Sequence, residues 1–468
     1  MTGLIESATG LIDPTELSER LGLRRPTDEQ AEVIAAPFAS ALVTAGAGSG
    51  KTETMAARVV WLVANGIVTP DQVLGLTFTR KAAGQLADRI RRRLRRLAGD
   101  PLLDELDPSG ERRVLVRTLE PTVSTYHAYA GRLLTEHGLR LPTDPGARLL
   151  SPTASWQLAH RVVSSWTRDL DTALIPTSVT GYVLALAGEL GEHLAEPDQL
   201  REHTETLARA IESAPPAKGQ RPGLPQALSK IVERQRFRVA LLPLVEELAA
   251  RKKTERCLDF ADQMAAAARL ADGHPEVGQA ERTAFRAVLL DEYQDTGHAQ
   301  RIMLRALFGG DEQTAVTAVG DPFQSIYGWR GASAANLPRF VTDFPRTGRD
   351  REAGDRAQRS STHERVAAAR HGLLTSFRNP PEVLALANGI ADPLRAGPVR
   401  VDELRPRPGA PPGDVRVALH GDVEAERAWM ADAIADRWRA AADAEVEPPT
   451  TAVLVRRRAD MSALAAAL

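Results

Sequence analysis

The stretch Ala39-Ser40-Ala41-Leu42-Val43-Thr44-Ala45-Gly46-Ala47-Gly48-Ser49-Gly50-Lys51-Thr52 decides the fold of this chain. Apolar residues come first and predict a strand, and the glycines after them predict a tight loop before a helix. Glycines let the backbone curl until its N–H groups point inward, and the helix N-terminus behind them adds the positive end of its dipole. Such a loop suits the negative oxygens of a polyphosphate.

Two side chains complete this predicted phosphate loop. Lys51 is placed to reach the outer phosphates, and the Thr52 hydroxyl is placed to hold Mg²⁺. The Walker A pattern has a glycine where this chain has Ala45, but the remaining spacing fits. A glycine-rich turn without a ligand is the alternative, and the strand before it and the helix after it disfavour that alternative. The sequence therefore predicts a site for a nucleoside triphosphate.

Composition limits the class of protein. The chain has 468 residues, of which 43% are hydrophobic and 26% charged, as in globular proteins of several domains. No apolar run approaches the roughly 18 residues of a membrane span, so we expect a cytoplasmic protein without a membrane partner. The single cysteine, Cys257, permits no internal disulfide. The net charge of −2 means that any nucleic-acid contact needs local basic patches.

Strands that alternate with helices after the phosphate loop predict a parallel sheet with helices on its faces. The strand pattern at 287–290 ends on Asp291 and Glu292. A phosphate-loop enzyme needs one carboxylate for Mg²⁺ and one for the attacking water. The next strand, 315–319, leads into polar residues that include Gln324. They follow a strand at the sheet edge where open α/β sheets bind ligands.

Three features leave alternatives open. Gln30 follows the predicted helix cap Thr27 by three residues, and it either completes a capping box or contacts the nucleotide. Tyr327 and Trp329 are either core aromatics or platforms on which bases of single-stranded nucleic acid stack. The arginine-rich helix that starts at Lys81 is either a solvated face or a phosphate contact.

The pattern along the chain also predicts its domains. Helical patterns broken by proline-rich loops predict a helical insertion within the first α/β domain. Residues 346–370 are charged and predict an exposed loop or a partly disordered insertion. Later strand candidates at 415–419 and 452–455 indicate a second α/β domain. The predicted divisions are 1–130 and 252–370 for the first α/β domain, 131–251 for the insertion, and 371–468 for the start of the second.

Several motifs resemble, in order, those of the UvrD/Rep/PcrA-like superfamily-1A DNA helicases. DEYQDT and QSIYGWRGA are the most specific of them. The stretch after the phosphate loop more narrowly resembles the AdnB-type subunit of an actinobacterial helicase–nuclease. The matching segments are TDEQ at 27–30, AGAGSGKT at 45–52, LTFTRKAA at 76–83, STYHA at 124–128, LDFAD at 258–262, LLDEYQDT at 289–296, VGDPFQSIYGWRGA at 319–332 and LTSFRNPPEVLALAN at 374–388.

The resemblance implies RecA-like domains that use ATP and Mg²⁺ to move along DNA, in the 3′ to 5′ direction, in repair or recombination. It implies catalytic roles for Lys51, Glu292, Gln324 and the arginine finger Arg378. It implies Mg²⁺ ligation by Thr52 and Asp291. It favours an adenine contact for Gln30 and implies an ATP site formed by Gln30, Ala45, Gly46, Ala47, Gly48, Ser49, Gly50, Lys51, Thr52, Glu53 and Phe377. It implies contacts to single-stranded DNA from Phe78, Arg80, Tyr126, His127, Tyr327 and Trp329.

The chain also departs from the family pattern. Glu53 stands where many relatives carry a basic residue, and Arg80 and Phe377 replace the commoner Asn and Tyr. The family's later second-domain motifs do not follow, so we expect a C-terminally truncated motor. Its partners are expected to be single-stranded or tailed duplex DNA and a second helicase–nuclease subunit. The alternatives are a DNA-binding ATPase subunit that does not unwind, and a phosphate-loop ATPase that does not act on nucleic acid.

Overall fold

The computed structural model describes residues 11–142, 144, 146–215, 223–310, 313–328, 331–333, 335–347, 365–395 and 401–468. The chain divides into two compact units, Met1–Pro411 and Pro412–Leu468. The strands described are β1 (Ala41–Ala45), β2 (Val73–Thr77), β3 (Thr122–Thr125), β4 (Arg148–Leu149), β5 (Cys257–Leu258), β6 (Ala287–Leu290), β7 (Ala315–Gly320), β8 (Arg346–Thr347), β9 (Arg365–Val366), β10 (Ala369–Leu373), β11 (Thr375–Ser376) and β12 (Arg405–Pro406).

Helices make up most of the remaining regular structure. No helix in the described ranges is long and apolar enough to cross a bilayer. The α-helices described are α1 (Pro14–Arg20), α2 (Asp28–Ile34), α3 (Lys51–Ala64), α4 (Arg80–Gly99), α5 (Leu102–Leu106), α6 (Glu111–Thr118), α7 (Tyr126–His137), α8 (Pro152–Ser164), α9 (Pro176–His193), α10 (Pro197–Glu212), α11 (Gln226–Thr254), α12 (Phe260–Gly273), α13 (Pro275–Ala284), α14 (His298–Phe308), α15 (Asn336–Asp343), α16 (Pro381–Ala391), α17 (Val423–Asp443) and α18 (Met461–Ala467).

A six-stranded sheet organises the first unit, in the order β10-β1-β7-β6-β2-β3. All five strand pairs in it are parallel. Because parallel strands end at the same edge, the loops after β1, β7 and β6 lie side by side. The parallel sheet with its helices confirms the predicted α/β fold.

Both faces of this sheet are buried. Leu42 of β1 belongs to a core formed with helices α7, α12 and α14, whereas its neighbour Val43 belongs to a core formed with α3 and α4. Both side chains are at most 1% exposed. Full burial of such a side chain contributes roughly 1.5–3 kcal/mol to folding. This two-sided burial explains why the four inner strands, β1, β7, β6 and β2, are rich in apolar residues.

A buried arginine fixes helix α2 beside the phosphate loop. The Arg58 guanidinium of α3 donates to the carbonyl oxygens of Val33, Ile34 and Ala36, at 3.0, 3.1 and 2.9 Å. Burial lowers the pKa of Arg58 to about 10. These carbonyls lie at the C-terminal end of α2, so Arg58 satisfies groups that the helix leaves unpaired. The same helix carries Gln30.

The helical insertion has a core of its own, built mainly from α8, α9 and α11. Strands β4 and β5 pair where the chain leaves and re-enters the sheet domain. Tyr129 and Leu133 of α7 instead pack in the core of the sheet. The boundary predicted at residue 131 therefore falls inside a helix of the first domain, because the apolar face of α7 is covered by the sheet.

The start of the second α/β domain also differs from the prediction. Strand β10 pairs with β1, so residues 371–373, which were assigned to the second domain, belong to the first sheet. The first compact unit continues to Pro411. An edge of β1 offers backbone groups that need partners, and the backbone of Ala369–Leu373 supplies them. Most of the predicted exposed loop, 348–364, lies outside the described residues.

The strands predicted at 415–419 and 452–455 are not strands in the second unit. Leu419 and Leu454 are 99% and 93% exposed. A strand needs a hydrogen-bonded neighbour, and the described residues of this unit provide none for either segment. The chain between these two segments forms helix α17, because a helix satisfies its own backbone.

Candidate ATP site and nucleic-acid surface

The phosphate loop owes its shape to two glycines. Gly48 and Gly50 have φ angles of 78° and 83°, in the left-handed region that favours glycine. A Cβ atom on Gly48 would lie 2.7 Å from the Cβ of Arg378. A larger residue at position 48 would therefore combine backbone strain with a clash. The predicted strand, loop and helix order is present, since β1 ends at Ala45 and α3 begins at Lys51.

The carbonyl oxygens of the loop are already satisfied. The Gly46 carbonyl accepts from Ser49 Oγ at 2.8 Å, and the Ala47 carbonyl accepts from Ser376 Oγ at 3.0 Å. The Gly48 carbonyl accepts from the Phe377 backbone N–H at 2.9 Å, and the Ser49 carbonyl accepts from Gln30 Nε2 at 3.1 Å. Within the described ranges, no acceptor meets the backbone N–H groups of Lys51, Thr52 and Glu53. The loop therefore presents donors and no unpaired acceptors, which is what a bound phosphate requires.

Gln30 has both of the features that the sequence left open. Its Oε1 accepts from the Thr27 backbone at 3.1 Å, and the Thr27 hydroxyl accepts from the Gln30 backbone at 3.3 Å. This completes the capping box. The Nε2 group donates to the Ser49 carbonyl of the loop. The side chain thus lies against the loop, and its contact with a nucleotide stays a prediction.

Lys51 and Glu292 meet across the site. Lys51 Nζ lies 3.1 Å from Glu292 Oε2. Glu292 has a φ of 51°, a conformation that costs a non-glycine residue of order 1–3 kcal/mol and that is common at functional sites. The arrangement brings together the cation predicted to reach the outer phosphates and the carboxylate predicted to act on the attacking water.

Gln294 connects this carboxylate to the neighbouring strand. Its Nε2 donates to Glu292 Oε2 at 2.8 Å, and its Oε1 accepts from the Asp321 backbone at 3.1 Å. The Asp321 carboxylate accepts from Gln324 Nε2 at 2.6 Å. Gln294 is only 1% exposed. Sequence reasoning missed this residue, although an amide between acidic residues after a strand was a signal for it.

The predicted metal ligands offer suitable chemistry. Asp291 is 5% exposed, and its carboxylate accepts from the Thr77 hydroxyl at 3.3 Å. Burial, and then the charge of Glu292, raise the pKa of Asp291 to about 6. Nearby Asp295 has a buried carboxylate oxygen, Oδ1, without a partner among the described residues. Carboxylate and hydroxyl oxygens are ligands that Mg²⁺ prefers, so Asp291 and Thr52 fit the group.

The segment after β10 reaches the loop from the other side. Phe377 is half-buried and donates its backbone N–H to Gly48, while Arg378 is exposed next to the same glycine. The Glu29 carboxylate of α2 accepts from the Leu374 backbone at 3.1 Å and fixes this segment. Phe377 of the implied ATP site and the implied arginine finger Arg378 thus lie at the phosphate loop, together with Gln30.

Glu53 faces away from the loop. It forms ion pairs with Arg89, at 3.1 Å, and with Arg93 of α4. Burial lowers the pKa of Arg93 to about 10, with a smaller contribution from Arg96. The arginine-rich helix is therefore partly an internal partner for the phosphate-loop helix, a use that neither sequence interpretation included.

The structure requires one correction to the predicted DNA contacts. Tyr126 is 1% exposed, and its hydroxyl donates to the Asp291 carbonyl oxygen at 3.0 Å. A side chain enclosed in this way has no surface for DNA, because α7 packs it beneath the ends of β2 and β6. Phe78 lies over it, with ring centroids 5.1 Å apart, and is partly buried.

The other predicted contacts remain on or near the surface. His127 is half-buried, and its ring meets Phe260 edge to face with centroids 5.5 Å apart. Burial lowers the pKa of His127. Phe260 is 42% exposed and was not predicted as a contact, although it lies in the LDFAD motif. Arg80 is exposed and Tyr327 half-buried. Trp329 lies outside the described residues.

Comparisons with known proteins agree with these motifs. Residues 26–345 match the UvrD/REP helicase N-terminal domain. The chain is 30% identical over 409 residues to the ATP-dependent DNA helicase UvrD2 of Mycobacterium tuberculosis, a match that covers 87% of this chain and 49% of the relative. It is 29% identical over 321 residues to DNA helicase II of Escherichia coli, which covers 68% and 36%.

A third relative is the ATP-dependent DNA helicase PcrA of Leuconostoc citreum, at 27% identity over 319 residues, 68% of this chain and 35% of that protein. The chain thus spans about half the length of the mycobacterial relative and about a third of the other two. The narrower AdnB-type resemblance stays a prediction. The match over most of the chain, on a parallel sheet with these motifs at its edge, shows that the chain belongs to the UvrD/REP helicase family.

Proposed function

We propose that this chain is the ATP-driven motor portion of a DNA translocase or helicase. The observation that carries the proposal is the phosphate loop. Its carbonyls accept hydrogen bonds, no acceptor among the described residues meets its N–H groups at Lys51, Thr52 and Glu53, and the Lys51–Glu292 pair lies beside it. Phosphoryl transfer depends on positioning and charge neutralisation, and this arrangement provides both.

Each residue of the ATP site has a separate proposed role in hydrolysis. Lys51 binds the outer phosphates, and Glu292, held by Gln294, orients and deprotonates the attacking water. Gln324 and Arg378 contact the terminal phosphate from the two neighbouring strand ends. Thr52 and Asp291 would hold Mg²⁺, which neutralises developing charge on the phosphate oxygens when bound. These roles extend the predictions from the motifs and are supported by the positions of the side chains.

The nucleic-acid substrate is proposed to be single-stranded or tailed duplex DNA. Phe78, His127, Tyr327 and Arg80 follow strands that end at the same sheet edge as the ATP site. Aromatic rings suit base stacking, and exposed arginine suits the backbone. The relatives that the chain matches carry the name DNA helicase. Movement from 3′ to 5′, a repair or recombination role, a second subunit and a cytoplasmic location belong to the same proposal.

ATP hydrolysis measured with and without single-stranded DNA tests this function. We expect single-stranded DNA to raise the hydrolysis rate and blunt duplex DNA to raise it less. An equal rate with and without DNA, in protein that binds ATP, would favour a phosphate-loop ATPase that does not act on nucleic acid. DNA-stimulated hydrolysis without strand separation on a tailed duplex fits both a C-terminally truncated motor and a non-unwinding subunit.

A further inference from the structure

Arg24 lies over the ring of Phe377, a residue that the family resemblance assigns to the ATP site. Its guanidinium carbon is 5.9 Å from the centroid of the Phe377 ring. Arg24 is exposed and precedes helix α2. Within the described part of the chain, no carboxylate forms an ion pair with it. An exposed arginine whose guanidinium lies over an aromatic face and has no ion pair among the described residues is available for a further stacking partner.

The Phe377 ring is fixed at the mouth of the phosphate loop. Its backbone N–H donates to the Gly48 carbonyl at 2.9 Å, and Gln30 Nε2 donates to the carbonyl of the next loop residue, Ser49, at 3.1 Å. A base attached to phosphates in this loop would therefore be held near both side chains. Arg24 is the cation found over the ring.

The phosphate-loop helix α3 does not supply a second cation for the base position. Glu53, the residue after the predicted Mg²⁺ ligand, is acidic and is engaged by Arg89 and Arg93 of α4. Both arginines are therefore ion-paired with Glu53. Arg24 is therefore the cation that can contact the outer face of the base.

We propose that Arg24 forms the outer wall of the base slot, so that the adenine lies between its guanidinium and the Phe377 ring. This inference rests on the proposed function, namely nucleotide binding at the phosphate loop. A planar base needs roughly 3.5 Å on each face, or roughly 7 Å between the two walls. The present separation of 5.9 Å means that the exposed arginine withdraws by about 1 Å when the base enters. Guanidinium groups stack on flat π systems in this way.

Calorimetric titration with two ligands tests the proposal on the 468-residue chain in the presence of Mg²⁺. The ligands are ATP and inorganic triphosphate, which has the phosphates but no base. We expect Arg24→Ala to weaken ATP binding roughly 2- to 30-fold. The affinity for inorganic triphosphate should stay the same. Arg25→Ala is the matched control, because Arg25 is also exposed, and it should change neither affinity.

Arg24→Lys separates stacking from charge. Lysine keeps the positive charge but loses the planar group, so we expect it to recover only part of the ATP affinity. Equal losses for both ligands in Arg24→Ala, or no loss for either, would overturn the proposal. Wild-type protein that binds ATP no more tightly than inorganic triphosphate would refute the base slot alone. Wild-type protein that binds neither would instead refute the proposed function.

Discussion

Two halves of one sheet edge differ in how their functional residues are positioned. Strands β10, β1 and β6 end at the candidate ATP site, and β2 and β3 end at residues predicted to contact DNA. The loop after β7 carries both Gln324 of the ATP site and Tyr327 of the predicted DNA surface. The ATP half depends on backbone geometry, such as the left-handed conformations of Gly48 and Gly50. The DNA half depends on side-chain burial, which encloses Tyr126 and leaves Phe260 accessible. A local motif can specify the first arrangement, but the second requires the whole core.

The largest effect is expected in the ATP half, from Glu292→Gln. The variant keeps the size of the side chain and loses the carboxylate that acts on water. Single-turnover hydrolysis should fall by roughly 10²- to 10⁴-fold while ATP binding is retained. Near-normal turnover would remove Glu292 from the mechanism and weaken the account of this half.

Lys51→Ala should act on binding instead. The phosphates lose a charged hydrogen-bond donor, which costs on the order of 1.5–3 kcal/mol, or roughly 10- to 100-fold in ATP affinity. Equilibrium titration with ATP measures this change. The affinity for single-stranded DNA without nucleotide should stay at the wild-type value, and a parallel loss there would argue against two separable halves.

A pH-dependent effect is expected where the insertion supports the DNA half. A Cβ on Gly297 would lie 2.7 Å from the Glu192 carboxylate of α9, and one on Gly331 would lie 3.2 Å from the Glu192 Cβ. Burial, and then the charge of Asp259, raise the pKa of Glu192 from 4.5 to about 7. The stability that the protonated group contributes is therefore full below pH 4.5 and is lost as the pH rises through about 7.

Glu192→Gln mimics the protonated form. Its free energy of unfolding should exceed that of the wild type by on the order of 2 kcal/mol at pH 8 and should match it near pH 5. Denaturant unfolding at both pH values measures the difference. Glu202→Gln, at an exposed position on α10, is the control and should give no pH-dependent gain. An equal gain at both pH values would show that the carboxylate charge is not the cause.

A smaller effect should identify Tyr126 as a core residue. Tyr126→Phe removes only the hydroxyl that donates to Asp291. The free energy of unfolding should fall by about 1 kcal/mol, the usual contribution of one hydrogen bond. Affinity for single-stranded DNA should not change. A loss of DNA affinity at unchanged stability would restore Tyr126 to the DNA-binding set.

The contrast between the halves also explains what the sequence could predict. The phosphate loop, its following helix and the strand before Asp291 were predictable because each follows from neighbouring residues. Parallel strands then had to bring Asp291 and Gln324 to the same edge as the loop. The α/β fold and the family followed from these local patterns.

Other features depend on contacts between distant segments. Gln294 matters because β6 and β7 are neighbours, and Glu53 turns away because α4 places two arginines beside it. The burial of Tyr126 depends on how α7 meets the sheet. Residues 371–373 join the first sheet because an edge of β1 accepts them. None of these facts is contained in a short sequence window.

The most direct test of two separable halves is DNA-stimulated ATP hydrolysis by Tyr327→Ala. The basal rate without DNA should equal that of the wild type. The concentration of single-stranded DNA that gives half-maximal stimulation should rise by roughly 5- to 150-fold, the equivalent of one lost base stack. An unchanged half-maximal concentration, or a basal rate that falls with it, would contradict the separation of the ATP site from the DNA surface.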